Sequence, residues 1–297
     1  MATWLVRLFG RLVCALSARG AERLGRFLGL VWFHVVRIRR GTVLRQLRAA
    51  FPAWSAGQAR AVARTLYANL GRWSAEFLRV TGPPRVRDEA LRQVEVDGLA
   101  AYESVVAEGG GAIVVTAHLG NWDVAACSQA FAGRRLTLLS RRLSNRGLDR
   151  DWMERRRGLG LEIVDERTPL VRLAELLRAG RTLVLIVDQA TPPELGGTRV
   201  PFLGREAWTT RLPALLAVRT GAPIFPVFVH SPAGAPHRIR IEAPLAAGEA
   251  PGRPAERVSG LTRAINERLE QRVREHPDQW LWLHRRWKGF PTAGRSA

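Results

Sequence analysis

Two rhythms of apolar residues divide this chain. Up to about residue 80 they recur at helical spacing; beyond it, short apolar runs alternate with amphipathic stretches. In the first part, "FPAWSAGQARAVARTLYANLGRWSAEFLRV" predicts a long helix with Ser55 as its N-cap, and "TGPPRV" stops it near residue 83. In the second part the apolar runs predict strands at Ala112–Ala117, Leu136–Leu139, Leu161–Val164, Leu183–Val187, Ile224–Val229 and Arg238–Ile241. Helices are predicted between them, at about 98–108, 122–131, 148–158, 168–179, 209–220 and 255–275. This alternation predicts an α/β fold, a largely parallel central sheet flanked by helices. The division is a helical N-terminal region over 1–83 and an α/β domain over 84–297, joined as one structural unit. "PAGAPH" and "PLAAGEAPGRPAE" fit loops within that domain, and no internal repeat is visible.

Charge changes the picture most at the N-terminus. The 297-residue chain has a net charge of +20, and Lys288 is its sole lysine. Residues 1–50 hold ten arginines against one acid, Glu22, interleaved with "LVCALSA" and "FLGLVWFHVV". Neither apolar patch approaches the roughly 20 residues of a spanning helix, and no small-residue cleavage site follows, so a secretory signal is not expected. Apolar and aromatic residues mixed with arginine suit helices lying in an anionic membrane interface. The alternative is an amphipathic hairpin packed on the domain. Trp32, Arg37, Arg39 and Arg40 are candidate membrane or headgroup contacts. So are Trp282, Arg285 and Arg286 in the aromatic, basic run "WLWLHRRWK", where a helix stripe packed on the core is the alternative. No nucleic-acid motif is present, and two cysteines make neither a disulfide framework nor a metal spacing.

The candidate chemistry lies in "VVTAHLGNWDVAAC". Ligands in open α/β sheets bind beyond the carboxyl ends of strands, and His118 sits at such an end. Gly120 allows a tight turn, Asn121 suits an N-cap, and Asp123 falls in the first turn of the next helix, where its charge is favoured. Imidazole is the usual general base, and a carboxylate can fix its tautomer. The alternative is a histidine and an aspartate that only cap local structure. With no serine or cysteine nucleophile needed, the matching reaction is direct transfer of an acyl group to a substrate hydroxyl.

"HLGNWD" resembles the H-x-x-x-x-D motif of the glycerolipid acyltransferase superfamily, and the branch it is most similar to is the lipid A biosynthesis late acyltransferases. "RRLSNRGLD" (141–149), "VDQATPPELGGTRVPFLGREAWT" (187–209), "RTGAPIFPVF" (219–228) and "PDQWLWLHRRWK" (277–288) resemble further blocks of that family in order and spacing, as does "FPAWS". Arg142 and Arg146 stand where the family has prolines, Arg199 where an apolar residue is common, and Gln46-Leu47 where Asn-Leu is usual.

The resemblance implies a membrane-associated O-acyltransferase with His118 as base and Asp123 orienting it. Arg141 would hold a phosphate or the oxyanion, Asp188 and Gln189 would orient Arg141 or the substrate, and Gly197 and Gly204 would bracket a loop near a phosphate. Gly120, Asn121 and Arg199 complete the candidate substrate contacts. The resemblance further implies acyl carrier protein as thioester donor, a phosphorylated glycolipid acceptor (a lipid A precursor, with a phosphatidylinositol mannoside as the alternative), and no metal or other cofactor. The expected place is the cytoplasmic face of the inner membrane, peripheral or singly anchored. The strong positive charge would steer both the acidic carrier protein and the anionic membrane.

Overall fold

The computed structural model describes residues 2–246 and 252–290, so part of the second proline-rich loop (247–251) lies outside the described residues. Four helices open the chain: α1 (Ala2–Ala15), α2 (Ala18–Val31), α3 (Arg40–Ala50) and α4 (Ala56–Val80). Ser55 caps α4 as predicted, with the Gln58 side chain accepting from the Ser55 amide in return. Helices α2 and α4 cross so closely that Gly25, Gly29 and Gly71 face backbone of the other helix, leaving no space for a Cβ. No helix among the described residues is long and apolar enough to cross a membrane.

After the short α5 (Pro84–Leu91), a seven-stranded sheet is laid down from β1 (Val94–Asp97), β2 (Ala112–Thr116), β3 (Leu136–Ser140), β4 (Glu162–Asp165), β5 (Thr182–Ile186), β8 (Ile224–His230) and β9 (His237–Ile241). Its order is β1-β9-β8-β2-β5-β3-β4. Every pairing is parallel except β8 with β9. The central strands are apolar on both faces because both are covered. Ile113, Val115, Leu183 and Leu185 pack under α9 (Leu170–Arg178), α10 (Leu212–Thr220) and α11 (Pro254–Glu275). The opposite face meets α6 (Leu99–Ala107) and α7 (Trp122–Phe131), while Phe77 and Val80 of α4 pack onto α7.

Three features depart from the sequence expectation. The short strand "VEVD" became β1, adding an edge beside β9. The helix expected over 209–220 starts only at Leu212, because Thr209 and Thr210 end β7 (Arg205–Thr210), the partner of β6 (Gly197–Phe202) in a separate antiparallel hairpin. Its turn is Leu203-Gly204, both at positive φ, the geometry that favours tight hairpins. The segment after α11 forms no regular helix. It runs as a strap back over the carboxyl end of the central strands, where Trp280 bridges to Leu119.

Candidate active site

Strands β2 and β5 are parallel neighbours in a register that sets Thr116 opposite Ile186. Two residues further on, each strand delivers one side chain: His118 and Asp188. His118 Nδ1 lies 2.8 Å from Asp188 Oδ1, and the His118 amide donates to Oδ2 at 2.9 Å. The Trp280 indole N–H, from the strap, also donates to Oδ2, at 2.8 Å. Burial of Asp188 works to raise its pKa. The charge and hydrogen bonds of His118 and the Trp280 N–H outweigh it and hold the carboxyl at about 2. An ionised Asp188 requires a proton on His118 Nδ1, which leaves Nε2 as the basic nitrogen. Nε2 has no hydrogen-bond partner among the described residues, and the side chain remains partly exposed.

The loop carrying His118 is held on every side. The Leu281 amide donates to His118 O at 2.9 Å, and the Gly120 amide donates to Gln279 O at 3.0 Å. Gly120 has φ 61° and faces Val229 O with no room for a Cβ. Asn121 caps α7 by accepting from the Val124 amide, and its Nδ2 donates to Trp73 O and Glu76 Oε2. Both residues therefore hold the His118 loop in place rather than reach toward open space.

Asp123 is where the sequence expectation fails. Its carboxylate accepts from Arg156 Nε at 2.8 Å and Nη2 at 2.5 Å, and from Trp152 Nε1 at 3.2 Å, both on α8 (Arg146–Arg157). It fastens α7 to α8 and makes no hydrogen bond to His118, whose carboxylate partner is Asp188. The physical reason is direction: the first turn of α7 aims Asp123 at the neighbouring helix, whereas sheet register aims Asp188 at the imidazole.

Asp188 and Gln189 orient histidines instead of Arg141. Gln189 Nε2 lies 3.1 Å from His284 Nε2. The His284 ring sits 5.1 Å from that of His118, and Trp122 flanks His118 at 4.9 Å, edge to face. Desolvation, followed by the neighbouring His118, lowers the His284 pKa to about 4 and keeps it neutral. The local spacing of the sequence gives no hint of His284; only the strap carries it here. Gln46 of α3 fixes that strap by donating to Trp282 O and His284 O and accepting from the Arg286 amide.

The remaining candidates separate. Arg141 is 76% exposed in its side chain and pairs with Glu166. Gly197 and Gly204 belong to the β6–β7 hairpin, which packs on α11 and the strap. The Leu203 amide there donates to Glu270, so a carboxylate of the protein itself occupies this turn. Arg199 stacks on Trp208. Trp282 and Arg286, expected at a headgroup, are fully buried. Trp282 packs with Trp280 and Trp287, and Arg286 donates to Trp208 O, Thr209 and Asn266. The aromatic end of the strap is core because it closes over the carboxyl end of the central strands, where it packs with Ala117, Leu119 and Phe228. Arg285, Arg37 and Arg39 stay exposed, and Trp32 and Arg40 are half-buried. Outward on α1 and α2 stand Trp4, Leu5, Leu8, Leu12, Phe27 and Leu28, with Val35, Val36 and Ile38 beyond them.

Behind Trp122 a largely apolar pocket, partly open to solvent, lies between the sheet and helices α6 and α7. A base with a free Nε2, a buried carboxylate behind it and an apolar cavity beside it equip a protein to pass an apolar group to a hydroxyl. The chain belongs to the bacterial lipid A biosynthesis acyltransferase family, whose pattern spans residues 1–289, and it is an acyltransferase. Among its relatives are phosphatidylinositol mannoside acyltransferases. Those of two Mycobacterium tuberculosis strains are 27% and 28% identical, each over 76% of this chain and 70% of their own length. That of Mycolicibacterium smegmatis is 28% identical over 75% of this chain and 71% of its own. The crystal structure of the 1-acyl-sn-glycerophosphate acyltransferase of Thermotoga maritima aligns with 85% of this chain and 98% of its own, at 16% identity and a TM-score of 0.38.

Proposed function

We propose that this protein is a membrane-surface O-acyltransferase that moves a fatty acyl chain from acyl carrier protein to a hydroxyl of a lipid A precursor. The observation that carries the chemistry is the His118–Asp188 pair with Nε2 open. The acceptor hydroxyl gives its proton to Nε2 as its oxygen attacks the thioester carbonyl carbon. The tetrahedral oxyanion then collapses, the C–S bond breaks, and the thiolate leaves. The proton on Nε2 passes to that thiolate, which returns the base. Asp188 stabilises the imidazolium between the two transfers. Neutral His284 stands beside the reacting centre as a hydrogen-bonding group rather than a competing charge.

The outward apolar residues of α1 and α2, set among exposed Arg11, Arg19, Arg23, Arg37 and Arg39, support docking on an anionic membrane at its cytoplasmic face. The names of the mycobacterial relatives favour a second acceptor, a phosphatidylinositol mannoside. Purified protein in detergent, given radiolabelled acyl–acyl carrier protein and both acceptors side by side, decides between them. Labelled lipid A precursor, absent with His118→Ala, is the expected result. Label only on the mannoside replaces the acceptor, and transfer that survives in His118→Ala overturns the mechanism.

A further inference from the structure

Against the His118 loop lies a buried polar cluster that the acyl-transfer steps do not use. Helix α4 supplies Arg72 and Glu76, Ser231 follows the end of β8, and His237 opens β9. Arg72, Ser231 and His237 are almost wholly buried, a state that costs stability unless each polar group is paired. Arg72 Nη1 donates to Glu76 Oε1 at 2.7 Å, and Nη2 donates to Ser231 O. Glu76 Oε2 accepts from Asn121 Nδ2 at 2.9 Å. Ser231 Oγ accepts from the Asn121 amide at 2.9 Å, which directs its own proton to His237 Nδ1, 2.8 Å away. His237 therefore carries its hydrogen on Nε2, 3.4 Å from Glu76 Oε2. Burial lowers the His237 pKa against the pull of Glu76 and keeps the ring neutral. Both arms of the cluster end on Asn121, three residues after His118.

These polarities leave the Asn121 side chain one orientation. Its Oδ1 caps α7 by accepting from the Val124 amide, so its NH2 must face Glu76 and Trp73 O. Granted the acyl transfer proposed above, we infer that Glu76, held by Arg72, is a positioning residue for the base: it sets the Asn121 amide, and through it the place of His118. Glu76 touches no reacting atom. Because it accepts at both oxygens, it ties α4 to the first turn of α7 and so fixes the loop that presents His118 to Asp188. A glutamine at position 76 gives its one oxygen to Arg72, the charged donor, and turns its NH2 onto that of Asn121. Two donors then face each other. The Asn121 amide must turn over and drop its cap on Val124, or move away with the loop. A displacement of about 1 Å at a catalytic group costs on the order of 100-fold in rate.

The experiment compares the full chain with Glu76→Gln, Asn121→Asp, the two combined, and Glu89→Gln. Each is read by melting temperature, by kcat and KM for acyl transfer, and by hydrogen exchange of the amides over 118–124. Glu76→Gln is expected to lower kcat about 10- to 100-fold while KM stays within about three-fold. Exchange at the Val124 amide should quicken about ten-fold or more, with the amides of β2 unchanged. Asn121→Asp sets a carboxylate against Glu76, breaks the same contact from the other side, and should share both losses. Combined, the two changes let the new carboxylate accept from the new amide, so kcat should rise above that of either single change. Glu89→Gln takes the charge from the other ion pair of α4, that of buried Arg79, and should alter the melting temperature alone. Positioning by Glu76 is overturned if Glu76→Gln changes only the melting temperature, leaving kcat and loop exchange as in wild type. It is equally overturned if the combined changes do no better than the single ones. Loop exchange that responds as expected in a protein that acylates no acceptor upholds the hold of Glu76 on the loop and refutes the transfer reaction.

Discussion

Replacing Asp188 by asparagine isolates the tautomer on which the mechanism depends. Two donors, the His118 amide and the Trp280 indole, converge on Oδ2 at 2.9 and 2.8 Å. An asparagine must therefore place its only oxygen there and turn its NH2 toward His118 Nδ1. Nδ1 becomes an acceptor, the ring proton moves to Nε2, and the base is lost although every heavy atom stays in place. The equivalent swap in serine proteases costs about ten-thousand-fold, so kcat is expected to fall about 10³–10⁴-fold, or ~4–5.5 kcal/mol of transition-state stabilisation. The assay is acyl transfer from the thioester donor to one acceptor lipid, with protein shown to be folded by circular dichroism. Activity of Asp188→Asn within ten-fold of wild type, from folded protein, refutes the assignment of Asp188 as the partner of His118.

Asp123→Ala gives the opposite signature. It strands Arg156, a nearly buried cation, and should cost about 3–5 kcal/mol in urea unfolding while kcat per folded molecule changes much less than in Asp188→Asn. Acid should destabilise the protein through His284. Its folded pKa of about 4 lies below the unfolded value near 6.5, so the unfolded state takes up the proton first. Stability then falls as pH drops from about 6.5 to about 4, by roughly 2–3 kcal/mol from this residue. His230 and His237 are lowered in the same direction, so melting curves of His284→Asn should keep a pH slope in this window but a shallower one than wild type. Asp188 acts lower down: its folded pKa of about 2 is depressed, so its contribution is whole above about 4 and is lost as pH falls through about 2. At the membrane face, Trp4 and Phe27 are 63% and 61% exposed. The double change Trp4→Ser, Phe27→Ser should leave the melting temperature unchanged and weaken flotation with anionic vesicles at least ten-fold, about 1.4 kcal/mol or more.

What the sequence determined by itself is whatever follows from local partition between water and core. The continuous apolar runs of β2, β5 and β8 marked strands covered on both faces, the spacing of α4 and its Ser55 cap marked a helix, and the end of one run marked His118. The "VEVD" strand and the β6–β7 hairpin escaped because they are only partly buried and polar residues interrupt them, so no continuous apolar run marks them. The partner of His118 escaped for a different reason. Asp123 is five residues from His118 and Asp188 seventy, but proximity along the chain says nothing about which carboxylate meets the imidazole. The parallel register of β2 with β5 decides that, by ending both strands at one level. The strap decides the rest. Its tryptophans and arginines read equally well as an interfacial belt or as core, and only closure over the sheet end buries Trp282 and Arg286, sets Trp280 on Asp188 and brings His284 to His118. Polarity patterns are local quantities, whereas a hydrogen bond across the fold exists only once the intervening chain has packed.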